Sequence, residues 1–230
     1  MNALPIYKIM LASVAFAFTH WKKILEISIL PVLISIPFLA ILPDILSIMN
    51  SVFSKKEVAD IQLPDNMMIY LLLFFYGYLT LSINMYRLVI LGQNSVSGIV
   101  PVLNFNKIIR FVGLTLFIGL VTMAPVIISG IAFLQLIMYF LVVPITLNFI
   151  NIATDQPSKY KWNLNFISQA NLFFLQIFLP ALAGMIFSFL VSLIGLPDML
   201  GWMVKAIVFY WTLISLALCY QLVVKQNAKA

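Results

Sequence analysis

Residues 111–151 run for 41 residues without a single charged side chain. As one helix this stretch would be about 60 Å long, which is roughly twice the hydrocarbon thickness of a bilayer. It must therefore fold back on itself, and Ser129-Gly130 is the expected turn. Pro125 then lies in the first arm of the hairpin and Pro144 in the second. A pair of apolar arms of this length predicts two membrane-spanning helices.

The overall composition agrees with a membrane location. Hydrophobic residues make up 63% of the chain and charged residues only 9%, whereas a soluble domain carries roughly 45–50% apolar and ~25% charged residues. So little polar surface cannot cover a water-soluble globule of 230 residues, and the apolar excess must face lipid. We therefore expect an all-α polytopic membrane protein in which residues 1–230 form a single membrane domain.

Apolar stretches between polar breaks predict about six transmembrane helices. Their expected bounds are residues 24–42, 67–86, 111–129, 131–151, 172–195 and 202–224. Amphipathic interfacial helices are predicted before each pair of spans, at residues 4–21, 100–110 and 160–170. Pro43 and Asp44 should end the first span, and a further short amphipathic helix is expected within residues 45–53.

Basic residues are distributed unevenly along this predicted topology. With the N-terminus inside, ten Lys and Arg fall on the cytoplasmic side, and only Lys55, Lys56 and Lys205 fall outside. This bias follows the positive-inside rule and predicts a multi-pass inner-membrane protein with an even number of spans and both termini cytoplasmic. It also accounts for the net charge of +6, so no nucleic-acid partner is expected. The inner residues are Lys8, Lys22, Lys23, Arg87, Lys107, Arg110, Lys159, Lys161, Lys225 and Lys229.

Basic residues in the predicted interfacial segments are candidates for contact with anionic lipid headgroups. Lys107 and Arg110 share a helix face at i, i+3 spacing, and Lys159 and Lys161 lie in or beside the third interfacial helix. A basic residue near an anionic membrane surface contributes ~1 kcal/mol to binding. Membrane lipids with anionic headgroups are therefore expected partners, together with a membrane-protein partner or a second copy of the chain.

Uncharged polar side chains inside the spans need hydrogen-bond partners. Gln135 and Tyr139 lie one helical turn apart, and Asn148 and Gln176 lie in the fourth and fifth spans. These four residues are candidates either for lining a polar cavity or for packing helices together. Small residues also recur along the fifth span and predict a close approach of helices, namely Gly184, Ser188 and Ser192.

Two charged residues fall inside predicted spans. Lys205 lies three residues after Trp202, about 5 Å below the interface, so its long side chain is expected to reach outward toward Asp198. Glu26 follows Lys22 at i, i+4 spacing, which predicts an ion pair near the headgroups.

Familiar catalytic and metal-binding patterns are absent from the sequence. There is no P-loop, no H-E-x-x-H and no G-x-S-x-G motif. His20 is the only histidine and Cys219 the only cysteine. We expect no cofactor, no metal and no catalytic residues.

Three stretches resemble a family of bacterial six-span inner-membrane proteins of the YciC type. They are Met85-Tyr86-Arg87-Leu88-Val89-Ile90-Leu91-Gly92, the basic helix through Arg110-Phe111, and residues 139–150 with Pro144. The pattern is also similar to the membrane domain fused to some glycerophosphodiester phosphodiesterases. The resemblance implies a six-helix membrane fold in the bacterial inner membrane with cytoplasmic termini, and it supplies no activity or catalytic residues.

Three functions are compatible with these observations. The first is a non-enzymatic accessory protein that scaffolds a membrane complex or its lipid environment. The second is a small transporter, because proline-interrupted spans carry Gln135, Asn148 and Gln176. The third is an intramembrane enzyme with Lys205 as the base, paired with a serine of the preceding span.

Overall fold

A computed structural model of the chain describes residues 3–53, 64–96, 104–131, 133–159, 162, 164–194 and 198–227. Helices dominate these residues, and no strand occurs among them. The α-helices are α1 Ile6–Thr19, α2 Trp21–Phe53, α3 Met67–Leu91, α4 Phe105–Ser129, α5 Phe133–Val142, α6 Asn148–Ala153, α7 Phe166–Phe173, α8 Leu179–Ile194 and α9 Asp198–Asn227. Short 3-10 helices occur at Gln93–Ser95 and Val143–Leu147, and a π-helical turn occurs at Phe174–Phe178.

Six helical segments are long and apolar enough to cross a membrane. This confirms the predicted all-α polytopic class. The segments are Trp21–Ile48, Met67–Leu91, Phe105–Ser129, Phe133–Ala153, Phe166–Val191 and Met203–Asn227.

The first span is longer than the sequence predicted. Helix α2 continues through Pro31, Pro37 and Pro43 to Phe53, so the expected end at Pro43 and the separate amphipathic helix within residues 45–53 are wrong. A proline removes one backbone N–H donor and strains the preceding turn, but the bonds on either side still hold the helix together.

The second and third predicted interfacial helices are not separate elements. Residues 105–110 form the first turns of α4, and residues 166–170 belong to α7, which continues through the π-helical turn into α8. Asn104 and Asn165 cap these helices, accepting hydrogen bonds from Lys107 N and Ser168 N at 3.1 and 2.8 Å. The first prolines in these two helical stretches are Pro125 and Pro180, so once the caps have nucleated the helices, helix propagates through the predicted boundaries. Residues 100–103, 160, 161 and 163 lie outside the described part of the chain.

A short separate helix, α1, forms where the sequence predicted an interfacial helix at residues 4–21, and its position relative to a membrane stays a prediction. Helix α1 has 14 residues and is shorter than a span. Its Ile9 and Ser13 are buried, and it packs against α9. The Nδ2 atom of Asn171 donates a 2.8 Å hydrogen bond to the carbonyl oxygen of Leu4. Helix α1 is therefore packed into the bundle.

The predicted hairpin turn is confirmed at Ser129-Gly130. Gly130 ends α4 in the left-handed conformation at φ 70°, and its N–H donates to the carbonyl oxygen of Val126 at 2.8 Å. Glycine adopts this conformation without steric cost. The returning arm changes to a 3-10 helix at Pro144, where the missing N–H interrupts the α-helical hydrogen bonds.

The packed core lies toward one end of the bundle, which we call the closed end. It is built mainly from residues 79–89 of α3, 142–153 of the returning arm and 213–223 of α9. The opposite half is mostly held by pairing along the chain, α2 with α3, α4 with α5 and α8 with α9. Its apolar side chains are largely exposed, reaching 85% at Ile128 and 70% at Leu193. In a membrane these side chains face lipid.

Candidate functional site

Lys107 lies inside the closed end, where it holds the loop at residues 154–159. Its side chain is only 6% exposed. The Nζ atom donates to Asp155 Oδ2 at 2.9 Å and to the carbonyl oxygen of Ala153 at 3.3 Å. Asp155 has a left-handed backbone at φ 61°, which aspartate tolerates better than most residues. This ion pair joins the start of α4 to the end of α6.

Asn148 fixes the same loop from the other side. Its Nδ2 donates to the carbonyl oxygen of Lys159, and its Oδ1 accepts from the Lys159 backbone N–H, both at 2.8 Å. The side chain thus satisfies both polar backbone groups of one residue, much as a neighbouring strand would. Lys159 is consequently held at a defined position.

Helix α9 joins this network through Tyr220. The Tyr220 hydroxyl donates to Asn151 Oδ1 at 2.7 Å, and Asn151 Nδ2 donates to Asn148 Oδ1 at 3.0 Å. Asn151 is 1% exposed, so both bonds lie in a medium where hydrogen bonds are strong. The ring of Trp162 packs edge-on against Tyr220, with 5.7 Å between the ring centroids.

Arg110 and Lys159 stand at the rim of a groove between α4 and α6. Arg110 Nη2 donates to Ser158 Oγ at 3.1 Å, and the Lys159 ammonium lies 5.3 Å from the centre of the Trp162 ring. The groove has a volume of about 340 Å³. Its lining combines these cations and the polar Asn148 and Ser158 with apolar side chains, which are Leu114, Phe117, Ile145 and Ile152. We call this feature the α4–α6 groove.

No protein-family model, curated protein or solved structure matches the chain. The resemblance to YciC-type proteins therefore stays a prediction.

The four polar residues predicted to share a cavity or to pack helices have separate partners. Gln135 Nε2 contacts Met123 Sδ at 3.4 Å within the α4–α5 pair, whereas Gln176 Nε2 donates to Ser215 Oγ of α9 at 2.9 Å. Asn148 binds the loop, as described above, and lies about 20 Å along the chain axis from Gln135. Tyr139 is half-buried. The structure does not gather the three amides around one cavity.

The predicted lipid-contacting residues also separate into different environments. Arg110 and Lys159 are exposed at the rim of the α4–α6 groove. Lys107 is instead enclosed by its ion pair with Asp155, which leaves little of it for lipid. Lys161 lies outside the described residues.

The contacts of the two charged residues predicted inside spans, Glu26 and Lys205, differ in part from the prediction. Glu26 forms an ion pair with Lys23 at 2.8 Å, at i, i+3 spacing, where the sequence predicted Lys22. The Lys22 ammonium lies 5.7 Å from the centre of the Trp21 ring. Lys205 is exposed on α9, and the Asp198 side chain expected beside it lies outside the described part of the chain.

The small-residue ridge of the fifth span has no helix packed on it within the described chain. A methyl group added at Gly184 would meet no atom within 4 Å, and Ser188 is exposed. The Ser192 side chain is not among those described. The expected close approach of helices therefore does not occur at Gly184.

Potential metal ligands do not cluster in the part of the chain that the structure describes. No group of three or more His, Cys, Asp or Glu side chains occurs there. Cys219 is buried within α9. The polar chemistry of the described residues is concentrated instead at the closed end, around the loop at residues 154–159.

Sequence reasoning missed Asn151, Ser158 and Tyr220. Asn148 and Asn151 are spaced i, i+3, which places both amides on one helical face, and this was the one available signal. Nothing in the sequence links them to Tyr220, which lies 69 residues farther along the chain.

Proposed function

We propose that this chain is a non-enzymatic accessory protein of the bacterial inner membrane. It scaffolds a membrane complex, or the lipid around it, through a basic face at the closed end. In this proposal the closed end faces the cytoplasm and both termini lie there.

The uneven distribution of basic residues along the bundle is the main support for this proposal. Among the described basic residues, Lys205 alone lies in the half opposite the closed end. Among the acidic residues with described side chains, Asp44 and Asp65 lie in that opposite half, whereas Glu26 and Asp155 lie in the same half as the closed end, each paired with a lysine. Positive charge is retained on the cytoplasmic side of membrane proteins, and this supports the proposed orientation.

Anionic phospholipids are the partners that such a face fits best. The cytoplasmic leaflet carries a negative surface potential, and each basic residue near it contributes ~1 kcal/mol to association. Trp21 beside Lys22 and Lys23 adds an aromatic anchor of the kind found at headgroup depth. The predicted protein partner, or a second copy of the chain, would bind to the remaining lipid-facing surface.

Purification of the tagged protein from its native membranes in mild detergent tests this proposal. Mass spectrometry should find a stoichiometric protein partner, together with anionic phospholipid enriched above its share of the bulk membrane. Recovery of the chain without a protein partner and without anionic lipid would contradict the accessory role. Recovery with a reproducible small solute would instead favour the transport function.

A further inference from the structure

The α4–α6 groove has a cation at one end and apolar side chains along its length. Arg110, Leu114 and Phe117 are spaced i, i+4 and i+7 on α4, so they form one line about 10 Å long. Ile145 lies on the opposite wall, three residues before Asn148 on the returning arm. Phe117 is 50% exposed, so the groove opens toward the surrounding lipid.

The two cations at the rim of this groove have no acidic partner among the described residues. Neither ion pair between described residues involves Arg110 or Lys159. A guanidinium has five N–H donors, and Ser158 Oγ takes one of those of Arg110. Asp155 is the only acidic residue of the loop at residues 154–159, and Lys107 already holds its carboxylate.

The positions of these cations are set by the fold. Asn148 binds both backbone polar groups of Lys159, and the Trp162 ring lies beneath its ammonium. Arg110 belongs to a helix that is joined to the same loop through Lys107. A ligand that binds here meets a largely prearranged pair of cations and loses less entropy on binding.

We propose that the α4–α6 groove binds one anionic phospholipid. Its phosphate lies between Arg110, Lys159 and the Ser158 hydroxyl, and one acyl chain runs along Leu114, Phe117 and Ile145. The inference rests on the proposed association with anionic lipids, and it adds a single site of defined geometry. A volume of about 340 Å³ is at the small end of the range for ligand pockets, roughly 300–1,000 Å³, and so suits part of one lipid.

A second groove on α4 provides an internal comparison. It lies between α3 and α4, has a volume of about 350 Å³, and has no charged residue in its lining, which includes Phe75, Tyr78, Val112 and Leu116. The two grooves are similar in size and share a helix, but only the α4–α6 groove has cations at its rim. A lipid bound through its phosphate should therefore distinguish them.

Native mass spectrometry tests the proposal on detergent-solubilised protein that has been equilibrated with equal amounts of phosphatidylglycerol and phosphatidylcholine. The unaltered protein should retain one phosphatidylglycerol. Arg110→Gln with Lys159→Gln should weaken this retention roughly 25-fold, about fivefold for each cation removed. Leu114→Trp should weaken it by filling the groove, whereas Leu116→Trp in the second groove should not. Lys8→Gln with Lys22→Gln removes the same charge from another part of the basic face, and it should weaken retention of this one lipid much less than Arg110→Gln with Lys159→Gln does.

The outcomes distinguish a single lipid site in the α4–α6 groove from a general association of anionic lipid with the basic face. Equal weakening by both charge-removing pairs would overturn the single site and leave the proposed function standing. Unchanged retention in every variant would contradict the groove and the basic face together. If glycerol 3-phosphate displaces phosphatidylglycerol at a concentration similar to that of the lipid, the groove is a site for a water-soluble phosphate compound. That result would overturn the proposed role of the acyl chain. Thermal unfolding of each variant shows whether it is folded. If the variant without Arg110 and Lys159 does not fold, Leu114→Trp still tests whether lipid occupies the groove.

Discussion

At the scale of single residues, Gly77 sets the distance between α2 and α3. A Cβ atom at this position would lie 2.7 Å from the carbonyl oxygen of Pro31 and 2.6 Å from Ser35 Oγ. The serine side chain could rotate away, but the backbone oxygen could move only with the helix. The absence of a side chain at Gly77 therefore permits the close contact of these two spans.

Gly77→Val should destabilise the protein by about 1–3 kcal/mol, because the larger side chain forces α2 and α3 apart. Thermal unfolding in detergent, followed by size-exclusion chromatography, measures the effect. Gly119→Val is the matched control, since a Cβ there meets no atom within 4 Å. Equal melting temperatures for the two variants would show that the close approach at Gly77 is not required.

Lys107 and Asp155 should behave as a coupled pair. Asp155→Asn keeps a residue that tolerates the left-handed backbone but leaves the buried Lys107 ammonium without its counter-ion. We expect lower stability for this variant and for Lys107→Met. The double variant should lose less than the sum, with a coupling energy of about 0.5–3 kcal/mol. Additive losses in a thermal-unfolding cycle would mean that the ion pair contributes nothing specific to the fold.

At the scale of elements, hydrophobic periodicity predicted the six spans but misplaced several of their ends. The predicted breaks at Pro43 and at residue 111 rested on local rules for proline and for interfacial charge. The structure shows that α2 and α4 pass through both places. The packing of α2 on α3 favours continuation of α2 and lies outside any local rule. The Asn104 cap is a local signal that places the start of α4 before residue 111.

The break at Pro144 has a consequence for the loop that follows it. The 3-10 turn at Val143–Leu147 precedes Asn148, whose side chain holds the backbone of Lys159. Asn148→Leu should release the loop and speed trypsin cleavage after Lys159 about tenfold or more, because two hydrogen bonds are lost. Gln135→Leu in the opposite half should leave the rate unchanged. Cleavage of the Asn148 variant at the parent rate would indicate that other contacts hold the loop.

At the scale of the whole molecule, the sequence predicted the membrane class and not the arrangement of the candidate site. Composition and periodicity describe one helix at a time, and lipid requires every span to be apolar. These signals therefore identify spans but do not show which spans pack together. The contacts of Lys107 with Asp155 and of Tyr220 with Asn151 instead join residues 48 and 69 positions apart. Such pairs depend on how helices pack, which a single sequence does not encode in any local pattern.

The orientation of the bundle is the claim on which the basic face depends. Asn94 is exposed near the closed end, and Ser129 is exposed at the α4–α5 turn in the opposite half. Single cysteines introduced as Asn94→Cys and Ser129→Cys, in a Cys219→Ser background, can be labelled in spheroplasts with a membrane-impermeant maleimide. We predict that the cysteine at position 129 reacts in intact spheroplasts and that the one at 94 reacts only after permeabilisation. The reverse pattern would place the basic closed end outside the cell and contradict the proposed orientation.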